Sequence, residues 1–211
     1  MSAQPAVQSA VYVVDDDPSI LASLESLLSS EGYVVQTFET AQMFLAAKRL
    51  DLPGCLVLDV RLRGASGLEF QRELLRSGIR TPVVFITGHG DVPMSVAAMK
   101  AGAIEFLMKP FRDQDLLEAV QNGIEQDRLR RAEASRMAEL RDRYAAMTPR
   151  EREILPLVAS GLMNKQIATS LQLSEVTVKV HRAQIMHKLQ AKTLADLVRM
   201  ADRLADDISK A

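Results

Sequence analysis

Five apolar runs of strand length dominate the first half of the chain: Val11 to Val14, Val34 to Thr37, Cys55 to Asp59, Val83 to Thr87 and Ile104 to Met108. Each of the first four is followed by apolar residues at helical spacing, such as Ile20, Leu24, Leu27 and Leu28 after the first or Val92, Val96 and Met99 after the fourth. Strands covered on both faces read as unbroken apolar runs, and parallel neighbours need a crossover, usually a helix, between them. The alternation therefore predicts a doubly wound α/β domain with a five-stranded parallel sheet over residues 1–112.

Beyond Pro110 the pattern turns helical, with Leu117, Val120 and Ile124 spaced three and four apart. From Asp127 to Arg143, 10 of 17 residues are charged, and Met137, Leu140, Tyr144 and Met147 then form an apolar stripe. With no Gly or Pro in residues 124–147, residues 113–147 are expected to hold the last helix of the first domain and a helical linker, its stripe free to pair with another helix. Residues 148–211 read as four short helices. Thr148-Pro149-Arg150-Glu151 supplies an N-cap, a first-turn proline and a capping-box glutamate, and Gly161 ends that helix. Pro156 inside it removes a hydrogen bond and predicts a bend. Ser174 caps a run to Leu189, and Leu194, Leu197, Val198 and Ala201 make a final stripe.

Composition removes other classes. A net charge of −1, 47% apolar and 25% charged residues exclude disordered and fibrous chains. The single cysteine, Cys55, makes neither an internal disulfide nor a zinc cluster. No leader pattern and no membrane-length apolar run are present, so a cytoplasmic location and no membrane partner are expected. Charge is uneven along the chain: residues 148–211 carry 10 Lys and Arg against 7 Asp and Glu, an excess of three that permits a polyanionic partner.

In a parallel sheet ligands bind at the carboxyl ends of the strands. Those ends carry Asp15, Asp16 and Asp17 after the first run, Asp59 at the third, Thr87 at the fourth and Lys109 after the fifth. Crowded carboxylates repel unless they share a cation, and an all-oxygen donor set suits Mg²⁺, with Mn²⁺ as an alternative. Such an ion, with Lys109 and Thr87, can neutralise a phosphoryl group passing to a free carboxylate, so phosphorylation of an aspartate is the expected reaction. Gly88, His89 and Gly90 form a loop whose amides can approach phosphoryl oxygens, with His89 expected to be solvated rather than catalytic.

The segments VVDDD (13–17), LDVRLRGASG (58–67), ITGHGDVPM (86–94) and LMKPF (107–111) resemble the signature set of response-regulator receiver domains, in order and spacing. The resemblance implies a flavodoxin-like receiver fold, Asp59 as phosphoacceptor, and Asp15, Asp16, Asp59 and the backbone carbonyl of Arg61 as metal ligands. It also implies Thr87, Gly88 and Lys109 as phosphate contacts and Phe106 as an aromatic switch; Asp17 stays outside the set. Leu62-Arg63 stands where the family often has Met-Pro, a departure in the loop rather than in the chemistry.

In the helix capped by Ser174, Val178, Ile185 and Leu189 share a core face, whereas Val176, Val180, Ala183 and His187, flanked by Lys179 and Gln184, lie opposite. Small apolar, basic and amide groups on one face suit major-groove reading. TPREREIL (148–155), GLMNKQIA (161–168) and SEVTVKVHRAQIMHKL (174–189) resemble the LuxR-type helix-turn-helix, and with this receiver they resemble FixJ-type regulators, nearest the branch that includes StyR and TodT. The resemblance implies base-facing Lys179, Val180 and Ala183, and phosphate contacts from Asn164, Lys165, Thr177, His181, Arg182 or Lys188. Its implied partners are a sensor histidine kinase, promoter DNA, a second copy of the chain upon phosphorylation, and RNA polymerase. The expected function is a transcription factor switched by phosphorylation and not an enzyme, although it can catalyse its own phosphorylation and dephosphorylation. The alternatives are a phosphohydrolase-like enzyme, for which no cap segment is present, and a DNA-binding or interaction module with a vestigial receiver.

Overall fold

The computed structural model describes residues 8–62, 65–88 and 92–209, and the chain divides into two units between Arg131 and Ala132. In the first unit, β1 (Ala10–Val14), α1 (Pro18–Ser30), β2 (Val34–Phe38), α2 (Ala41–Ala46) and β3 (Gly54–Asp59) come first. A short hairpin, β4 (Arg61–Leu62) and β5 (Ala65–Ser66), leads to α3 (Gly67–Arg76), followed by β6 (Val83–Thr87), α4 (Val92–Lys100), β7 (Glu105–Met108) and the start of α5 (Asp113–Ala145). Each apolar run of the sequence is a strand, with bounds shifted by one residue at most.

The sheet is parallel throughout, in the order β2-β1-β3-β6-β7. Alternate residues feed two cores. Tyr12, Val14, Leu56, Leu58 and Phe85 meet Phe44 of α2 and Phe70 of α3 on one face. Val11, Val13, Val57, Val84 and Ile86 meet Leu24 and Leu28 of α1 and Leu116, Val120 and Ile124 of α5 on the other. A Cβ on Gly123 of α5 would lie 2.6 Å from the Cys55 sulfur, so glycine is what lets this helix lie on β3. Burial pushes the Cys55 thiol up to about 12, which removes it from thiolate chemistry. The strand order reverses across β1 and β3, and the carboxyl ends at that switch point are where such sheets bind ligands.

The second unit holds the end of α5, then α6 (Pro149–Ala159), α7 (Asn164–Leu171), α8 (Glu175–Leu189) and α9 (Leu194–Ile208). Thr148 and Glu151 form the expected capping box, and the Ser174 hydroxyl accepts the Thr177 N–H at 3.0 Å. Gly161 sits at φ +84°, a conformation that glycine adopts without strain. The helix α6 continues through Pro156, whose ring is exposed.

One expectation is corrected by this core. Leu140 and Met147 are buried among Ile154, Leu155, Val178, Ile185 and Leu189, with Met137 and Tyr144 packed against them. The linker stripe is therefore spent on the unit's own core and is not free for a partner helix. Leu197 of the α9 stripe is fully buried in the same core, Val198 and Ala201 are half-buried, and Leu194 is exposed.

The buried Glu151 carboxylate, 1% exposed, also binds α8: Lys188 Nζ lies 2.7 Å from its Oε2, and the Thr148 N–H donates to the same oxygen at 2.7 Å. Burial favours its neutral form, but the Lys188 ammonium and the Thr148 N–H outweigh this and hold the carboxyl below its usual range. The resulting stability is present above the ordinary glutamate value of 4.5 and is lost as pH falls through the lowered one. Lys188→Ala strands a buried charge and should lower the unfolding free energy by about 3 kcal/mol at pH 7, with most of it recovered in Lys188→Ala/Glu151→Gln. Urea unfolding followed by helical circular dichroism measures this; a single variant as stable as the parent contradicts it.

Candidate functional site

At the carboxyl edge of the sheet Asp15 directly follows β1, Asp59 ends β3 and Thr87 ends β6; they are 1%, 6% and 0% exposed. Lys109, following β7, reaches across them: its Nζ lies 2.6 Å from Asp15 Oδ2 and 3.0 Å from Asp59 Oδ1. The remaining oxygens accept backbone N–H groups, Asp15 Oδ1 from Asp17 at 2.9 Å and Asp59 Oδ2 from Arg61 at 2.7 Å. The Lys109 N–H donates to the Thr87 carbonyl at 2.7 Å, tying the cationic segment to the hydroxyl-bearing strand end. Each carboxylate is thus oriented by one ammonium and one amide.

Burial drives the Asp15 carboxyl above the usual range, an effect that the Lys109 ammonium and the Asp17 N–H only partly offset. For Lys109 burial acts the other way, but hydrogen bonds to both carboxylates prevail and raise its value, so it is an ammonium at neutral pH. Asp16 is half-buried in the loop after Asp15. Among the described residues no three His, Cys, Asp or Glu form a ready-made metal cluster; the cationic contact to Asp15 and Asp59 is Lys109. Three strand-end carboxylates against one ammonium still leave an excess of negative charge on hard oxygen donors, the chemistry that suits a hard dication.

The other residues expected here fall into place unevenly. Gly88 is exposed, and Phe106 is half-buried with its ring 6.4 Å from that of Phe85. Arg61 meets Asp59 through its N–H, a contact not foreseen when its carbonyl was assigned to a metal. His89, Gly90 and Arg63 lie outside the described residues. Asp17 is the N-cap of α1, its Oδ1 accepting the Ser19 N–H at 2.8 Å, which explains its separation from the acid pair; Asp17-Pro18 carried that signal as a cap followed by a first-turn proline. Gly67 was also missed. A Cβ there would lie 2.4 Å from the Asp59 carbonyl oxygen, so this glycine lets α3 begin against the backbone of the acceptor strand.

In the second unit α8 has the expected two faces. Val178, Ile185 and Leu189 are buried, whereas Val176, Lys179, Val180, Ala183, Gln184 and His187 are exposed. Lys165 on α7 is exposed, and Asn164 accepts a 3.0 Å hydrogen bond from Arg182, joining the two helices. Thr177 shares its hydroxyl with Ser174 at 2.8 Å within the cap of α8. His181 is half-buried, and its Nδ1 is enclosed without a hydrogen-bond partner. Lys188 is half-buried, and its ammonium is engaged by Glu151 and by the Ala146 carbonyl at 3.3 Å.

Comparison with known proteins gives two family matches. Residues 11–121 match the response regulator receiver domain, and residues 145–201 match the luxR family of bacterial regulatory proteins. The chain is 49% identical over 201 residues to nodulation protein W of Bradyrhizobium diazoefficiens, covering 95% of this chain and 88% of that protein. It is 42% identical over 191 residues to the transcriptional regulatory protein FixJ of Rhizobium meliloti, covering 90% of this chain and 94% of FixJ. The solved structure of the response regulator StyR superposes with a TM-score of 0.83 at 48% identity, over 93% of this chain and 99% of StyR. With both domains matched in order and the relatives covered nearly end to end, the chain belongs to the FixJ-type response regulators, which join a receiver domain to a LuxR-family DNA-binding domain.

Proposed function

We propose that Asp59 accepts a phosphoryl group from a sensor histidine kinase, or from a small acyl phosphate, and that the modified receiver switches promoter binding by the second unit. The carrying observation is the single ammonium shared by the two buried carboxylates beside Thr87. An Asp59 carboxylate oxygen attacks phosphorus, the bond to the donor nitrogen or oxygen breaks, and that atom leaves with the electron pair. Lys109 and the Thr87 hydroxyl face the growing charge on the phosphoryl oxygens, and the Asp59 to Arg61 hydrogen bond keeps the nucleophile oriented. Asp15, Asp16, Asp59 and the Arg61 carbonyl would hold Mg²⁺ or Mn²⁺, which neutralises phosphoryl charge. The same groups support self-catalysed phosphorylation and dephosphorylation.

In this reading residues 1–112 are the receiver, 113–147 its last helix and the helical link, and 148–211 the DNA-binding domain. Lys109 leaves Asp59 for the phosphoryl group, Thr87 follows, and Phe106 turns inward. The receiver then pairs with a second copy through α4 and β7, where Val92, Val96, Met99 and Met108 are between 44% and 75% exposed. Pairing raises the effective concentration of two α8 helices at one promoter without any new DNA contact. Lys179, Val180 and Ala183 read bases while Lys165, with Asn164, Thr177, His181 and Arg182 nearby, meets the backbone. The protein acts in the cytoplasm, with RNA polymerase as a further partner; no described helix is long and apolar enough to cross a membrane.

Incubation with radiolabelled acetyl phosphate and Mg²⁺ should place one acid-stable, base-labile phosphoryl group on the chain. Asp59→Asn or EDTA should abolish it; labelling retained in Asp59→Asn removes the assignment. Stability gives a separate check. A raised Asp15 value means that its contribution is fully present below the ordinary 3.8 and is lost as pH rises through the raised folded value. Asp15→Asn should therefore stabilise the receiver by about 1 kcal/mol at pH 7 while preventing labelling, and the gain should fade toward pH 4. Thermal unfolding at both pH values measures it, and a variant less stable than the parent at pH 7 contradicts it.

A further inference from the structure

The receiver unit carries a second charged constellation at the opposite edge of the sheet, where the strands begin. A cavity of about 230 Å³ there is lined by Arg49, Arg80, Arg130 and Arg131 together with Tyr12, Ser77, Thr81 and Asp127. Asp127, 2% exposed, fixes two of the guanidiniums. Its Oδ1 accepts Arg130 Nε at 3.0 Å and Nη2 at 2.6 Å; its Oδ2 accepts Arg131 Nε at 2.8 Å and the Gly54 N–H at 3.0 Å. Arg130 thereby keeps Nη1, and Arg131, whose Nη1 meets Asp51 at 2.7 Å, keeps Nη2. Arg49 is stacked 5.8 Å from the centre of the Phe44 ring, and Arg80 makes no hydrogen bond or ion pair to a described residue.

Four guanidiniums against Asp127 and the exposed Asp51 leave an excess of two positive charges around a small concave space. The Ser77 and Thr81 hydroxyls add donors, and the lining carboxylate has its oxygens already committed. A buried carboxylate that orients arginines from behind is how proteins pre-organise guanidinium forks for planar or tetrahedral oxyanions. A purely structural clamp for α5 needs Asp127, Arg130 and Arg131 alone and gives no reason for Arg49 and Arg80 to stand at the same cavity.

We infer that this cavity is a binding site for a compact phosphorylated anion, a small phosphate ester or pyrophosphate-like group, held by Arg49, Arg80 and the free N–H groups of Arg130 and Arg131. Because two of these arginines lie on α5 at the end of the receiver unit, the ligand also fixes that turn of the helix.

The test is calorimetric titration of the full chain with pyrophosphate in EDTA, which keeps divalent ions from confusing the acceptor edge. The parent should bind one equivalent saturably. Arg49→Gln/Arg80→Gln, which touches no ion pair among the described residues, should weaken binding about tenfold or more, while Lys179→Gln on the exposed face of α8 should leave it unchanged. Absence of saturable binding in the parent, equal affinity in the double variant, or an equal loss in Lys179→Gln overturns the inference.

Discussion

One ammonium shared by two buried carboxylates sets the terms for the receiver. Asp15 and Asp59 stand at the ends of neighbouring strands inside a nearly dry edge of the sheet, and each would be costly to ionise there alone. Lys109 offsets that cost from a third strand end, and its own N–H is tied to Thr87. The arrangement is compensated without being neutral, since Asp15, Asp16 and Asp59 bring three carboxylates to one ammonium. A phosphoryl group changes the balance abruptly, drawing Lys109 and the Thr87 hydroxyl toward itself. The switch proposed here is that redistribution.

The packing explains why such a change can be transmitted. The strand ends that carry the site are continuous with two tightly filled cores, and Phe106 lies half-buried beside Phe85 at the margin of one of them. Close-packed interiors have discrete arrangements rather than graded ones, and the proposed switch uses this by giving the Phe106 side chain at the margin two positions. A phosphoryl group can bias that choice only by as much as it prefers one state, and a few kcal/mol suffices. α5 contributes to one core of the first unit through Leu116, Val120 and Ile124 and to the core of the second unit through Leu140.

Periodicity made the sheet legible because each strand is buried on both faces, and topology then made Asp15, Asp59, Thr87 and Lys109 legible as strand-end residues. Capping chemistry did the same for α6 and α8. Periodicity reports that a face is apolar but not what covers it, so the Met137 to Met147 stripe read as open when it packs on Ile154 and Leu155. Lys188 read as a surface cation because its partner, Glu151, is 37 residues away in the chain. The Arg49, Arg80, Arg130 and Arg131 constellation was invisible for the same reason: its members come from separate segments and meet only when the strand beginnings align. Gly67 and Gly123 likewise show their purpose only once the backbone or sulfur opposite them is placed.

The central claim is that the charge at Asp59 governs which DNA the second unit holds. Recovery of sheared genomic DNA by the full chain, with and without acetyl phosphate and Mg²⁺, alongside Asp59→Asn, tests it most directly. The account predicts that the donor enriches fragments sharing a sequence with two half-sites on the parent protein and has no effect on the variant. Recovery of the same fragments in the same yield from phosphorylated parent, unphosphorylated parent and variant would contradict it.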